Sequence, residues 1–234
     1  MKIEIWSDIN CPFCYMGKRN LETALQQFPH RDKVEVSWKS FELDPYAELD
    51  PQEDLYEKLA SKYGRTREWA EEMTRNVTER AAALGLKYDM DRITPTNSLD
   101  AHRLLHLAAQ HDLQDEAKER LLAAYFTEGK HIGKHKTLQK IGEEIGLDAA
   151  EVSQMLSGDD FKEEVRKDER EAQQLGIRGV PFFVINRKYG ISGAQPSEVL
   201  LQALQQVWEE ENPLVEVTNS TQKQDGCSDD TCEV

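Results

Sequence analysis

The sequence predicts an α/β fold interrupted by a large all-helical insertion, and three observations carry that prediction. A strand-helix-strand pattern opens the chain, no strand pattern occurs from about Pro45 to Leu175, and strand, hairpin and helix patterns close it. The alternating run Lys2-Ile3-Glu4-Ile5-Trp6 reads as the first strand. Pro12 then takes the first helical position of a segment running to about Phe28, where its missing N–H falls among donors that a helix start leaves unpaired. Val34 to Phe41 alternates again, with Val34, Val36 and Trp38 on one face. Two strands joined by a helix favour a parallel crossover.

The middle block reads as helices throughout. "DPYAEL" and "DPQEDL" are turn and cap chemistry, and Leu55, Leu59, Tyr63, Trp69, Met73 and Val77 follow at helical spacing. Asn97 with Asp100 reads as a capping pair opening a helix through Leu104, Leu105 and Ala108, and Asp148 with Glu151 repeats the signal before Val152, Met155 and Leu156. Phe161, Val165, Ala172 and Leu175 hold one face of a charged helix stopped by Gly176. The chain returns to strand at Ile177, Val180 and Phe182 to Ile185, and "NRKYGISG" reads as a hairpin with Asn186 and Gly190 as turn residues. Pro196 opens the last helix, with Val199, Leu200, Ala203, Leu204 and Val207 facing inward. The predicted organisation is a discontinuous α/β domain (residues 1–44 and 176–212), a helical insertion (45–175) and a polar tail (213–234) that carries Cys227 and Cys232.

Composition narrows the function. A net charge of −15 without a Lys/Arg cluster argues against nucleic acid. No stretch approaches the roughly 20 apolar residues of a membrane span, and the first residues read as a strand rather than a signal peptide, so a cytoplasmic protein is expected. Four cysteines in such a chain point to catalysis or metal more than to structural disulfides.

"SDINCPFCYMG" places Cys11 and Cys14 at the junction between the first strand and its helix. A helix start favours negative charge, and thiols so placed titrate at roughly 3.5–7.5 rather than about 8.5. Cys11 is therefore expected to be the attacking thiolate, and Cys14, one turn inside, the sulfur that resolves a mixed disulfide. A zinc ribbon would need a second Cys-x-x-Cys, whereas the other pair is the Cys-x4-Cys of Cys227 and Cys232. His102 and His106 stand four apart on a predicted helix without an obvious third ligand, and read as solvent-facing or core-edge residues. His131 and His135, among Lys130, Lys134 and Lys136, read as loop residues able to form a cationic patch for a substrate carboxylate. Trp38, Trp69 and Trp208 read as core. No metal and no cofactor are expected.

With "GIRGVPFFVIN" the chain resembles the thioredoxin superfamily, in which a cis-proline loop lies against the Cys-x-x-Cys. Pro12 and Phe13 between the cysteines look like those of the DsbA branch. "WSDINCPFCYMGKRNLE", "TPTNSLDAHRLLHLA", "AYFTEGKHIG" and "GIRGVPFFVINRKYGISGAQP" are similar to the FrnE-type, DsbA-like oxidoreductases over residues 1–210. The resemblance implies a thioredoxin-like fold with a helical insertion and a thiol–disulfide oxidoreductase acting on protein thiols and disulfides, or on small thiols such as glutathione. It further implies a cis Val180-Pro181 bond near Cys11, with Pro12, Phe13, Val180 and Pro181 at the substrate. Some members carry a tail Cys-x4-Cys, so Cys227 and Cys232 are expected to form a second redox pair exchanging with the first.

The resemblance also raises two questions. Thioredoxin and DsbA bury a carboxylate six residues before the first cysteine, where this chain has Ile5; Glu4 and Asp8 are the carboxylates nearest in sequence. The wider group includes 2-hydroxychromene-2-carboxylate isomerase and kappa-class glutathione transferases, in which a serine commonly stands at the position of Cys11. A glutathione-dependent isomerase or transferase is thus the rival reading, and a non-catalytic chaperone or zinc module a third.

Overall fold

A computed structural model describes residues 1–213. One sheet holds four strands in the order β2-β1-β3-β4: β1 Lys2–Ser7, β2 Glu35–Ser40, β3 Phe182–Ile185 and β4 Tyr189–Ser192. β1 and β2 run parallel through the crossover helix α1, Pro12–Gln27. β3 lies antiparallel to both β1 and β4. The C-terminal helix, Ser197–Glu211, packs beside α1. Leu21 and Ala24 of α1 meet Leu200, Leu204 and Val207 of that helix over Ile3, Ile5, Phe183 and Ile185.

Between β2 and β3 the chain forms α2 Leu55–Tyr63, α3 Arg67–Ala82, α4 Leu99–Gln110, α5 Gln114–Phe126, α6 His135–Glu144, α7 Ala149–Ser157 and α8 Lys162–Gln174; the C-terminal helix is α9. These helices have a core of their own, which Ile9, Tyr15 and Met16 join from the sheet-bearing part. Two clasps dock them on the sheet. Trp38 donates its N–H to Gln114 Oε1 at 2.9 Å and accepts at its carbonyl from Gln114 Nε2 at 3.0 Å. The buried Asp168 accepts from the Ser40 N–H and from Lys39, both at 2.9 Å, while its carbonyl accepts from the Trp6 indole. Trp6 and Val184 meet Ala172 and Ile177 on that side, so β1 is covered on both faces. Glu4, the polar member of the β1 alternation, is therefore buried, closed off by Arg187.

Local geometry departs from expectation where side chains compete for one role. The helical run after Pro51 breaks in two at Gly64, whose φ of 62° ends α2 before Thr66 caps α3. Ser98, not Asn97, is the N-cap residue of α4; Asn97 Oδ1 accepts from the Leu99 N–H, and Asp100 turns to Arg103. Asp148 does cap α7, accepting from the N–H groups of Ala150 and Glu151. Leu175 is 44% exposed because the chain turns at Gly176, φ 74°, and Ile177 closes the core instead. Val199 lies on the shoulder of α9, 42% exposed. The hairpin turn is Asn186-Arg187, both at positive φ, and Gly190 sits inside β4, where the Phe182 ring fills the space a Cβ would need.

Candidate active site

β1 delivers Ser7 and the following loop residue Asp8 to the start of α1, where Cys11 is the N-cap residue and Cys14 lies one turn in. The Cys14 N–H donates to the Cys11 carbonyl at 3.0 Å. The Val180-Pro181 bond is cis, and the Val180 carbonyl accepts from Cys11 Sγ at 3.6 Å. Pro181 presses against α1 at Gly17, where an added Cβ would come within 2.9 Å of Pro181 Cγ. A helical glycine costs about 1 kcal/mol, and close approach of this loop is what it allows. Pro12 is held by its carbonyl, which accepts from the Tyr88 hydroxyl at 2.7 Å.

A cavity of about 320 Å³ opens over Cys11 and is walled mainly by apolar side chains, among them Phe13, Leu55, Val77, Phe126 and Val180. Cys11 lines it and Cys14 does not. A larger depression of about 730 Å³ lies over Tyr56, Arg75 and Lys87, but no cysteine borders it, so the smaller cavity is the one with chemistry beside it.

Beneath the sulfurs is a buried polar floor. Asp8 accepts from the Leu43 N–H at 2.8 Å, the Ser98 hydroxyl at 2.9 Å and His102 Nε2 at 3.2 Å. Burial opposes its charge, but these bonds outweigh burial and hold its carboxyl below the usual range. His102 is pulled down by burial despite Asp8, which leaves a neutral ring with Nε2 donating and Nδ1 unpaired. Lys118 reaches in from α5, fully buried, its Nζ 3.4 Å from the Ser7 carbonyl and 5.4 Å from the Trp38 ring. Among the described residues no carboxylate pairs with it, and burial pushes its ammonium down to about 8.

The two thiols titrate as a pair. Burial works against a thiolate on Cys14, yet the Cys11 thiol, the Lys118 charge, the Ser7 hydroxyl and the Asp8 N–H together pull Cys14 down. The Ser7 hydroxyl makes no full hydrogen bond, but lies near enough to stabilise that charge. Cys11 is pushed up, first by its bond to Cys14 and then by burial. Lys118, the Ser7 hydroxyl and the Asp8 N–H all act on the inner sulfur.

Cys11, Cys14, Pro12, Phe13, Val180 and Pro181 therefore meet in one place, whereas Cys227 and Cys232 lie outside the described residues. His102 is fully buried rather than solvent-facing or at the core edge, because it satisfies Asp8; His106 is at the core edge, against Asp168 and Ser40. His131 and Lys134 bond to Asp50, and His135, the first residue of α6 rather than a loop residue, bonds to Asp100, so these side chains are engaged within the chain. Among the described residues no cluster of three His, Cys, Asp or Glu could hold a metal, and no helix is long and apolar enough to cross a membrane. Sequence reading missed Lys118 and Tyr88. Lys118 has a visible signal: it shares a helical stripe with Leu121, Leu122 and Tyr125, all buried.

Comparison with known proteins matches residues 2–205 to the DSBA-like thioredoxin domain. A probable DsbA oxidoreductase from Streptomyces coelicolor, SCO1869, is 42% identical with a TM-score of 0.87, covering 99% of this chain and 100% of its own. A 2-hydroxychromene-2-carboxylate isomerase shares the fold at 15% identity, TM-score 0.68, over 90% of this chain and 98% of its own. The cytosolic disulfide reductase DsbM from Pseudomonas aeruginosa, solved with GSH, does so at 17% identity, TM-score 0.62, over 89% and 100%.

Proposed function

Because this chain belongs to the DSBA-like thioredoxin domain family, we propose that it is a thiol–disulfide oxidoreductase in which Cys11 meets the substrate and Cys14 resolves the mixed disulfide. The observation that carries the reading is the asymmetry of the pair: Cys11 borders the cavity while Cys14 is sealed beneath it. In the reducing direction, Cys11 passes its proton toward the Cys14 thiolate as its sulfur attacks a substrate disulfide, and the first substrate thiolate leaves and is protonated. Cys14 then loses that proton and attacks Cys11 Sγ, expelling the second substrate thiol and leaving a Cys11–Cys14 disulfide. The reverse sequence oxidises a dithiol.

In this reading residues 1–44 and 176–212 carry the dithiol, and the helices of 45–175 wall the substrate cavity. Pro12, Phe13, Val180 and Pro181 contact the substrate, a protein thiol or disulfide or a small thiol such as glutathione, in the cytoplasm. The GSH bound to DsbM supports the small-thiol option. A kappa-like glutathione-dependent isomerase or transferase has only fold likeness in its favour, and a cysteine at position 11 speaks against it. Cys227 and Cys232 act as a second redox pair. The 15 residues from Asn212 to Cys227 span up to about 50 Å when extended, and α1 is only about 24 Å long.

Insulin reduction with and without glutathione tests the activity. Cys11→Ser abolishes exchange, whereas Cys14→Ser accumulates mixed disulfides; equal trapping by both variants refutes the assignment of roles.

A further inference from the structure

The proposed cycle requires Cys14 to lose a proton under a fully closed protein surface, and Ile5, buried on the strand that leads to the site, offers no group to take it. We propose that Lys118, reaching in from the helical insertion, takes the proton of the Cys14 thiol and holds the thiolate that forms. The inference rests on the dithiol reading and adds to it the group that drives resolution.

Geometry leaves Lys118 little else to do. Its side chain is completely buried, its one hydrogen bond is a long 3.4 Å to the Ser7 carbonyl, and it faces the π surface of Trp38 rather than a carboxylate. A buried lysine without a counter-ion is costly unless a charge appears beside it. The groups acting on it are Cys11, Cys14 and Lys18 from α1, Asp8 from the loop after β1 and His102 from α4. Asp8 is already engaged by His102, Ser98 and Leu43, and His102 is neutral. The titrating neighbours that remain are the two sulfurs, and Cys14 acts on Lys118 most strongly. An ammonium held near pH 8 divides between charged and neutral forms at working pH, as proton exchange requires.

The step balances. In the Cys11–substrate mixed disulfide, Lys118, once its ammonium has yielded its proton to solvent, takes the Cys14 proton on neutral Nζ and becomes an ammonium again. The Cys14 sulfur then bonds to Cys11 Sγ as the Cys11–substrate S–S bond breaks. The departing substrate thiolate is protonated from Lys118 or from water, and the dithiol has lost two electrons to the substrate disulfide. Lys118 acts through Cys14 and touches no substrate.

The test uses the full chain with Cys227 and Cys232 replaced by serine, mixed with excess 5,5′-dithiobis(2-nitrobenzoate). The first release of thionitrobenzoate reports attack by Cys11, and the second reports resolution by Cys14. Lys118→Met should move the pH at which the second release is half-maximal up by at least one unit, which is a slowing of about tenfold at pH 7. A smaller move, or equal slowing at every pH, overturns the proposal. Absence of a second release in the unsubstituted site would instead remove the dithiol reading, and the inference with it. Should Lys118→Met fail to fold, lysine ¹³C NMR on the parent protein gives the answer. One lysine should titrate well below the rest, and its midpoint should fall when Cys11 and Cys14 close into a disulfide, because the thiolate that favours its charge is gone. No such lysine, or a midpoint that stays put, overturns the proposal equally.

Discussion

Lys18 on α1 and Lys118 on α5 are both buried, and opposite in chemistry. Lys18 sits among three carboxylates: Glu22 one turn along α1, and Asp115 and Glu119 of α5 at 3.1 and 3.2 Å. Burial opposes its charge, the carboxylates outweigh burial, and its ammonium is held above the ordinary lysine range. Lys118, on the same α5 that supplies two of those carboxylates, has none within pairing distance among the described residues and is pushed down to about 8. Burial alone therefore does not decide what a lysine does. The partner decides: a buried cation among carboxylates is a fixed strut, and one facing thiols is a group able to give up its proton.

The largest expected effect breaks the strut. Lys18→Met removes the buried cation that Glu22, Asp115 and Glu119 share, leaving Asp115 unpaired while Arg19 still holds Glu22 and Glu119, and should cost about 3 kcal/mol of stability in urea unfolding, less than a fully buried pair would because the carboxylates are partly exposed. The rate per folded molecule should barely change. Lys118→Met should do the reverse, gaining about 2 kcal/mol at pH 7 when measured on the Cys11–Cys14 disulfide form, where no thiolate is present. The sign follows from the lowered ammonium. In the disulfide form its midpoint lies below the dithiol value of about 8, and under that midpoint Lys118 is protonated folded and unfolded alike, so the folded state bears the whole cost. That cost fades as pH rises to about 10.4, and the advantage of the variant should close over the same interval. Equal losses from both substitutions would erase the distinction between the two lysines. Tyr88→Phe sharpens it from the cavity side: losing the hydroxyl to the Pro12 carbonyl should cost about 1 kcal/mol and loosen the cysteine turn without shifting the Lys118 titration.

What could be read in the sequence follows from how local each signal is. The strand before "CPFC", Pro12 at the helix start and Asp148 at α7 are decided within a few residues, and they stand where expected. The cis Val180-Pro181 bond came from likeness to relatives, and the structure has it. The floor of the site was out of reach because it is assembled from β1, α4 and α5, some 90 to 110 residues apart along the chain. Asp8 and His102 look like ordinary polar residues until the insertion folds over them. Lys118 was missed for the same reason, since a helix end is visible in sequence and a lysine arriving from the inserted helices is not.

The Gln114 clasp on Trp38 has a consequence of its own. β2 is an outer strand of the sheet, and a bare outer strand invites another extended chain to pair with it. One carboxamide offers Trp38 a donor and an acceptor, as the peptide group of a neighbouring strand would, and so occupies the docking register. The opposite margin, β4, is only four residues long. If polypeptide thiols are its substrates, as proposed, the chain can thus exchange sulfur with them without recruiting them into its own sheet.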